Sequence, residues 1–596
     1  MSEAAFLNVS SSVTGRAWRA RCRDDRAAMA IAQTHGLPDA LSRVLAARGV
    51  GLDAVDSYLS PTLRTFLPNP SDFLDMDRAA ARLADAVMAD EAVAVFGDYD
   101  VDGATSSALL IRFFRSLGRD LRLYVPDRQA EGYGPNAPAL RRLAGEGVKL
   151  VITVDCGTLA FAALEAAAEA GLEVVIADHH QGAPDLPRAL ACVNPNRMDE
   201  AGACRELAAV GVTFLLIIAV NRVLRARGFF DANRPEPDLR LWLDLVALGT
   251  VADVVPLTGL NRALVTQGLK VMAQGGNPGL AALSRVASVD GPAGTYHLGF
   301  LLGPRVNAGG RVGKSDLGAR LLSTDNLEEA AVLAVELDGL NRERQAIEAG
   351  VLAAAMAEAE IRLAADPDQA VMVVTGDGWH PGVVGIVASR LKDKFGRPAF
   401  ALARDGNVVK GSGRSVSGVD MGAAVAAARQ AGILKEGGGH AMAAGVTLAA
   451  DRVEDFARFL ASRLGHDVAS SRVGAGLEID GAVAVGGLTE ALVDGVSRAG
   501  PFGSGNPEPR FALTAARILK ADVLKDRHVR CVLGGADGGR MDAIAFRALD
   551  GPLGPALLRT QGAPLHLAGH VRAEVWQGRR RLKFHIEDAA PVRDGA

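Results

Sequence analysis

Short unbroken apolar runs alternate with helical patterns between about residues 76 and 200. AVAVF (92–96), LRLYV (121–125), KLVITV (149–154) and EVVIA (173–177) are each long enough for one strand. A helix from about Ala104 follows the first, and FAALEAAAEA follows the third. Alternating helices and largely apolar strands predict a parallel sheet covered on both faces. Residues 1 to about 75 read as a helical leader, because GLPDALSRVLAARGV and GLDAVDSYLS carry helical periodicity between Pro and Gly breaks. Two further helical segments, 206–227 and 239–249, come after the alternating region.

From Asn326 to about Ala364 the chain is rich in Ala, Glu and Leu and stops before Pro367, which predicts one long connecting helix. AVMVV (370–374) and RPAFALA (397–403) then open a second, smaller α/β unit. The remainder changes character: LEID, PRFALTAARILKADVL, HVRCVL, MDAIAFR, PLHLAGHVRAEVW and RRRLKFHIED are short alternating runs between Gly turns, the pattern of a small β-barrel. The predicted units are a leader (1–75), a parallel-sheet domain (76–325), a connecting helix (326–365), a smaller α/β domain (366–466) and a barrel (467–596).

Composition narrows the function classes. With 596 residues, 49% hydrophobic and 22% charged, the chain has ample material for several packed cores at roughly 100–200 residues per domain. A formal net charge of −4 excludes a polycation that binds nucleic acid by bulk charge, but not a local basic groove. The N-terminus carries no continuous apolar stretch of a secretory signal. The longest apolar run, about Leu207 to Val220, falls short of the roughly 20 residues that cross a bilayer and reads as a buried helix. Five scattered cysteines form no CxxC pair, which argues against a disulfide framework or zinc ribbon and fits a reducing cytoplasm.

The chemistry concentrates at strand ends. The first strand runs into Gly97-Asp98-Tyr99-Asp100-Val101-Asp102-Gly103, the third into Asp155-Cys156-Gly157, and the fourth into Asp178-His179-His180. In an open parallel sheet ligands bind at the carboxyl edge, so these clusters converge there; Asp253, in GTVADVVPL, follows a helix and can complete the set. Any one such Asp would ordinarily be a helix cap or turn residue. A calcium loop is excluded because Leu109, not Glu, occupies the twelfth position and a strand precedes the loop. Several carboxylates in one small site raise each other's pKa unless a cation compensates. Asp and His ligands without Cys point to Mn²⁺ or Mg²⁺, the imidazole favouring Mn²⁺, and two such ions bridged by one carboxylate suit in-line phosphoryl displacement. In the second α/β unit, Gly437-Gly438-Gly439-His440 reads as an anion-binding nest, and Arg414 between Ser412 and Ser415 offers a bidentate phosphate contact.

These motifs carry a resemblance. Asp98-Tyr99-Asp100-Val101-Asp102-Gly103, Val154-Asp155-Cys156-Gly157, Asp178-His179-His180 and Ala252-Asp253 resemble the four motifs of the DHH phosphoesterase superfamily. The segments Gly378-Trp379-His380-Pro381-Gly382, Gly411-Ser412-Gly413-Arg414-Ser415 and Gly437-Gly438-Gly439-His440 are similar to the DHH-associated (DHHA1) domain. With Gly303-Pro304-Arg305-Val306-Asn307-Ala308-Gly309-Gly310-Arg311 and the stretch from Pro501 to Pro509, the chain resembles the RecJ family over about residues 50 to 590.

The resemblance implies an α/β fold with a DHH parallel-sheet domain, a DHHA1 domain and a C-terminal OB-like barrel. It implies a 5′-to-3′ exonuclease that hydrolyses single-stranded DNA to nucleoside 5′-monophosphates with two Mn²⁺ or Mg²⁺ ions, in DNA repair and recombination. Asp100 and Asp102 would each bind one ion, Asp155 would bridge them, and His179 and Asp253 would complete the second site. Asp98 would join the first ion or orient a ligand; His180 would touch the scissile phosphate or a water, and Asp178 would orient the histidines. Arg305 and Arg311 would lie on the strand path with Ser412, Arg414, Gly438, Gly439 and His440, and Trp576 in the barrel would stack on bases. The implied partners are a single-strand-binding protein and a RecQ-type helicase; a monomer with no membrane association is expected. Two other readings stand beside this one: a DHH phosphoesterase for short oligonucleotides, cyclic dinucleotides or pyrophosphate, and a single-strand-binding scaffold that does not cut.

Overall fold

The computed structural model describes residues 5–592 except 129, 203, 475, 561, 577 and 578, and it describes no side chain for 472–474, 575, 576 and 579. The first sheet has five parallel strands in the spatial order Leu121–Tyr124, Val93–Gly97, Leu150–Val154, Glu173–Ala177, Ala191–Val193. Every residue of Val93–Gly97 and Leu150–Val154 is buried. Successive side chains alternate between two cores, as the period of two requires. Val93, Val95, Ile152 and Val154 pack with the helices Met76–Ala89, Val101–Ser116 and Ala209–Ala226. Ala94, Phe96, Val151 and Ile176 pack with Ala137–Gly145 and Phe161–Glu169. The apolar helix Ala209–Ala226 is inside the fold, 72% of it buried. Strand order reverses between Val93–Gly97 and Leu150–Val154, which puts a crevice at their carboxyl ends.

The helix Leu327–Ala365 is 39 residues long, hence about 58 Å at 1.5 Å per residue. Asn326 caps it by accepting from the Glu328 and Glu329 amides. Its first half contributes Ala330, Leu333, Ala334 and Leu337 to the parallel-sheet core. Its second half contributes Val351, Ala355 and Ala359 to the next domain's core. One helix therefore belongs to two cores.

The second sheet runs in the order Glu436–His440, Ala443–Ala449, Val408–Arg414, Ala399–Asp405, Met372–Asp377, antiparallel except for its last pair. This corrects the nest reading. Gly437, Gly438 and Gly439 form an edge strand, paired with Val446, Gly445 and Ala444. A Cβ on Gly437 would sit 2.9 Å from Val425 Cγ1 of the helix Met421–Gln430 and one on Gly439 2.3 Å from the Ala443 carbonyl oxygen, whereas Gly438 has open space.

The C-terminal unit is a closed five-stranded barrel, Phe511–Leu524, His528–Gly534, Arg540–Ala545, Arg579–Pro591 and Leu565–Trp576, closed by pairing of the first with the last. The leader, expected to be helical, also contains the strand Trp18–Ala20, parallel to Leu477–Ile479. Trp18 is fully buried against the barrel and donates from Nε1 to Asp588 Oδ2 at 3.0 Å. A three-residue strand whose partner lies over 450 positions away leaves no periodic signal in the sequence.

Candidate metal centre

Each acidic side chain at the sheet edge is held by backbone. Gly103 brings the helix Val101–Ser116 onto the preceding loop so tightly that a Cβ would lie 2.4 Å from the Asp98 carbonyl oxygen. Asp100 Oδ1 caps this helix, accepting from the Asp102 and Gly103 amides at 2.9 and 3.1 Å. Asp102 reaches to the N-terminus of Ala209–Ala226, where its two oxygens accept from the Ala209 and Val210 amides at 2.6 and 2.9 Å. The cap and ligand readings thus coincide in the same residues, since a carboxylate keeps lone pairs after accepting one or two hydrogen bonds. Asp155 adopts φ +60°, a conformation that costs a non-glycine residue about 1–3 kcal/mol and clusters at functional sites. Asp253 closes the helix Leu243–Ala252, and Val254 at φ 63° turns the chain away.

Asp178 organises the histidines. Its Oδ1 accepts from the His179 and His180 amides at 2.8 and 3.2 Å and lies 2.8 Å from His180 Nδ1. Asn194 and Asn196 fix the same turn from the fifth strand, donating to the carbonyls of His180 and His179 at 2.8 and 2.6 Å. Tyr133 donates to the Asp155 carbonyl at 2.9 Å. His179 Nε2 then lies 3.3 Å from Asp155, 3.7 Å from Asp253 and 3.9 Å from Asp102.

Three groups of potential ligand atoms each fall within 4.8 Å: Asp98, Asp100 and Asp155; Asp102, His179 and Asp253; and Asp155, His179 and His180. Asp155 belongs to the first group and the third, and its Oδ1 lies 3.3 Å from His179 Nε2 of the second.

Electrostatics test whether cations fit. Burial first, then the neighbouring carboxylates, push Asp102 up to about 7 and Asp253 up to about 9. Asp98 and Asp155 rise well above the carboxylate range for the same reasons, Asp100 being the leading neighbour of each. Asp98 Oδ1 is buried with no hydrogen-bond partner among the described residues. Burial lowers the pKa of His179, so its ring is neutral and offers a lone pair. Burial works against the charge on His180 too, but Asp178 outweighs it and raises His180 to about 9. Repelling carboxylates, an orphaned oxygen and a neutral imidazole, with no thiolate in any group, are a donor set for hard divalent cations.

The wall opposite is basic. Arg414, Arg128 and Arg311 converge on it: burial and Arg128 lower Arg414, and burial together with Arg128, Arg344 and Arg414 pushes Arg311 to about 10. Arg311 donates to the Gly382 carbonyl at 2.8 Å, joining the two domains, and is also acted on by Asp100. His440 is lowered by burial, Arg414 and then His180, so this wall faces the acidic edge. Ser412 and Gly438 line a groove of about 400 Å³ together with Arg128 and Lys410; Gly439 continues the same edge strand. Arg305 is drawn into the fold instead: it donates to Asp338 at 2.9 Å and to the Leu301 carbonyl at 2.7 Å, tying Gly303–Val312 to the connecting helix. The Trp576 side chain lies outside the described residues.

Sequence reasoning missed Arg128, Tyr133, Asn194 and Asn196. The asparagines follow the fifth strand, Ala191–Val193, so the strand-end rule extended by one strand finds them. Arg128 sits in the loop after the second strand with its guanidinium 5.0 Å from the Tyr99 ring centroid; a lone loop arginine carries no signal by itself.

Comparisons with known proteins follow this division. Family profiles match at residues 92–250 (DHH family, N-terminal domain), 368–466 (DHHA1 domain) and 479–588 (RecJ OB domain). The chain is 37% identical over 569 residues to the single-stranded-DNA-specific exonuclease RecJ of Dickeya dadantii, covering 93% of this chain and 96% of that one. Among solved structures it is similar to RecJ from Thermus thermophilus in complex with Mn²⁺, at 28% identity and TM-score 0.77, covering 97% of this chain and 80% of the other. The Mg²⁺ complex of that protein gives 27% identity and TM-score 0.73, covering 97% and 79%.

Proposed function

The chain belongs to the RecJ family, and from that premise we propose that it is a metal-dependent exonuclease that removes nucleotides from the 5′ end of single-stranded DNA. The observation that carries this reading is the pair of ligand groups sharing the neighbourhood of Asp155, opposite a wall of arginines. In this reading Asp98, Asp100 and Asp155 hold one divalent cation, Mn²⁺ or Mg²⁺, and Asp102, His179 and Asp253 hold a second, with Asp155 between them. When bound, such ions supply Lewis-acid neutralisation of the phosphate and acidify the attacking water.

The chain's own groups do the rest. Arg414, Arg128 and Ser412 take the terminal phosphate, which fixes the register of the strand and makes the enzyme act from an end. Arg311 neutralises charge between that phosphate and the acidic edge. His180, with Nδ1 committed to Asp178, leaves Nε2 to donate a hydrogen bond to an oxygen of the scissile phosphate. The groove of about 1150 Å³ that includes Arg311 and, from the barrel, Arg527 and Arg547 sets six cations (with Arg344, Arg390 and Lys394) against Glu348, Asp393 and Asp550, an excess that suits the backbone of the trailing strand. That groove favours a long strand over the small substrates of other DHH phosphoesterases.

The family resemblance also supports repair and recombination as the setting, with a single-strand-binding protein and a RecQ-type helicase as partners of a monomer. Five free cysteines support a reducing compartment such as the cytoplasm. The test is digestion of end-labelled single- and double-stranded DNA and RNA with Mn²⁺, Mg²⁺ or chelator. Release of 5′-mononucleotides from single-stranded DNA only, starting at the 5′ end and abolished by chelation, is the expected result. Equal cutting from both ends, or cutting in chelator, would overturn it.

A further inference from the structure

A cavity of about 680 Å³ opens on the far side of Arg128 and Arg311, walled by the segment Asp377 to Gly382 and by Arg404 and Lys410. Nothing in the proposed chemistry uses it, yet it contains Trp379 and His380 from a motif singled out in the sequence. Trp379 is held firmly. Gly376 lets the indole lie directly on the strand Met372–Asp377, where a Cβ would come within 2.1 Å of the ring. The ring also packs on the core formed by the connecting helix and Val384–Phe395. Its remaining surface faces the cavity. His380 is fixed by its own loop, Nδ1 accepting from the Gly382 amide at 3.0 Å. On the adjacent strand, where Arg404 pairs with Asp377, its Nε is buried with no hydrogen-bond partner among the described residues, 3.6 Å from the Asp377 carboxylate.

The location is informative. Arg128 lines both this cavity and the groove of Ser412 and Gly438. Arg311 lines both this cavity and the long groove toward the barrel. A phosphate held at Arg128 therefore has an aromatic-walled space beside it, large enough for a nucleoside. A cavity that offers both guanidiniums, from Arg128 and Arg311, and an indole face suits a nucleotide, which carries both a phosphate and a base. Stacking on an indole accepts every base, because each has a π-face, which is what an enzyme that must remove all four nucleotides requires.

We propose that this cavity receives the base of the terminal nucleotide, the one about to be released, and that Trp379 is its stacking face. The inference rests on the exonuclease reading for which nucleotide arrives there, but not for the binding itself. Trp379 touches substrate away from the reacting atoms; it sets how firmly the terminal nucleotide is seated.

The binding test titrates the full-length, Mn²⁺-loaded protein with deoxyadenosine 5′-monophosphate and, separately, with 2-deoxyribose 5-phosphate, which has the phosphate but no base. The nucleotide should bind about 5- to 100-fold more tightly, the range of a single base stack. W379L, which keeps apolar volume on the core, should bring the ratio to near one without weakening the sugar phosphate; W379F should keep most of it. A ratio of one in the wild-type protein, or a ratio that survives W379L, would overturn the proposal. A second arm needs no variant: a 5′-phosphorylated oligonucleotide is compared with one whose first nucleotide is abasic. A several-fold rise in KM for the abasic end with little change in kcat is expected, and equal kinetics would overturn the base pocket while leaving the exonuclease reading in place. No cleavage of either oligonucleotide, with the nucleotide ratio intact, would overturn the exonuclease reading alone.

Discussion

The acidic edge of the parallel sheet and the basic wall opposite it are built in contrasting ways. On the edge, short side chains come from strand ends and helix termini, and the backbone fixes them: Asp100 and Asp102 are bound by four amides between them, and Asp155 is held in a left-handed conformation. On the wall, long side chains come from three separate parts of the chain, Arg128, Arg311 and Arg414, and two of them rest on carbonyls, Gly382 and Gly413. The difference matches what each must bind. A metal–carboxylate contact fails if displaced by a few tenths of an ångström, so its ligands are fixed in advance. A phosphate offers several oxygens to charge-assisted donors, so guanidiniums from separate parts of the chain can converge on it. Each side taken alone repels itself, and each is completed by what the other lacks.

The comparison breaks first at Asp155. Asp155→Ala removes the carboxylate between the two ligand groups, and cleavage should fall at least about 1,000-fold, or about 4 kcal/mol of transition-state stabilisation. Mn²⁺ should raise the Tm of the wild type, because a ligand of the folded state stabilises it, and should raise that of D155A much less. Near wild-type turnover in Mn²⁺ would mean that the edge does not hold the ions.

The wall should be less sensitive. Arg414→Ala and His440→Ala are each expected to cost about 1.5–3 kcal/mol, the scale of one charged hydrogen bond, or roughly 10- to 150-fold in kcat/KM. The loss should be equal on short and long strands, since both act near the terminal phosphate. A loss confined to long strands would move these residues from the strand end to its track.

Fixing the edge in advance has a cost that packing reveals. Gly249 lies where the helix Leu243–Ala252 crosses Val101–Ser116, and a Cβ there would sit 2.3 Å from Thr105 Oγ1, 2.8 Å from Val210 Cγ1 and 3.1 Å from Asp102 Oδ1. Gly249→Ala should therefore destabilise by about 1–3 kcal/mol through overpacking, and Mn²⁺ affinity measured by titration should fall with it because Asp102 is pushed. Lost stability with unchanged Mn²⁺ affinity would show that the edge tolerates displacement.

This contrast also explains what could be read from the sequence. Asp98, Asp155 and Asp178 each follow an unbroken apolar strand, and strand ends in a parallel sheet share one edge, so the acidic side was legible from order alone. The wall was legible only in part: motifs marked Arg414 and Arg311, but the glycine run reads as a nest until its pairing with Ala443–Ala449 is seen. Arg305 and Arg311, six positions apart in one helix, part company in space, one to Asp338 and the other to Gly382. Arg128 belongs to no pattern. Tertiary contact decides which arginine faces the cleft, and nothing local encodes it.

The weakest effect tests how far the basic side extends. Removing the barrel would be the direct experiment, but the structure argues against it. Trp18 would lose its burial, the strand Trp18–Ala20 its partner, and Arg48 its contacts with Asp480 and the Pro507 carbonyl at 3.1 and 2.7 Å. A single exposed cation is the cleaner probe. Arg547 is exposed and lines the long groove with Arg527 on the barrel side. If it contacts one phosphate of the trailing strand, Arg547→Ala should reduce the slope of log affinity against log salt by about 0.7, the value for a single strand. An exposed contact of this kind contributes about 0.2–1 kcal/mol, so long-strand affinity should fall only about 1.5- to 5-fold. Turnover of an oligonucleotide too short to leave the cleft should stay at the wild-type rate. An unchanged salt slope on long strands would confine the basic side to the wall around Arg414, and a slower rate on the short oligonucleotide would place Arg547 in the cleft itself.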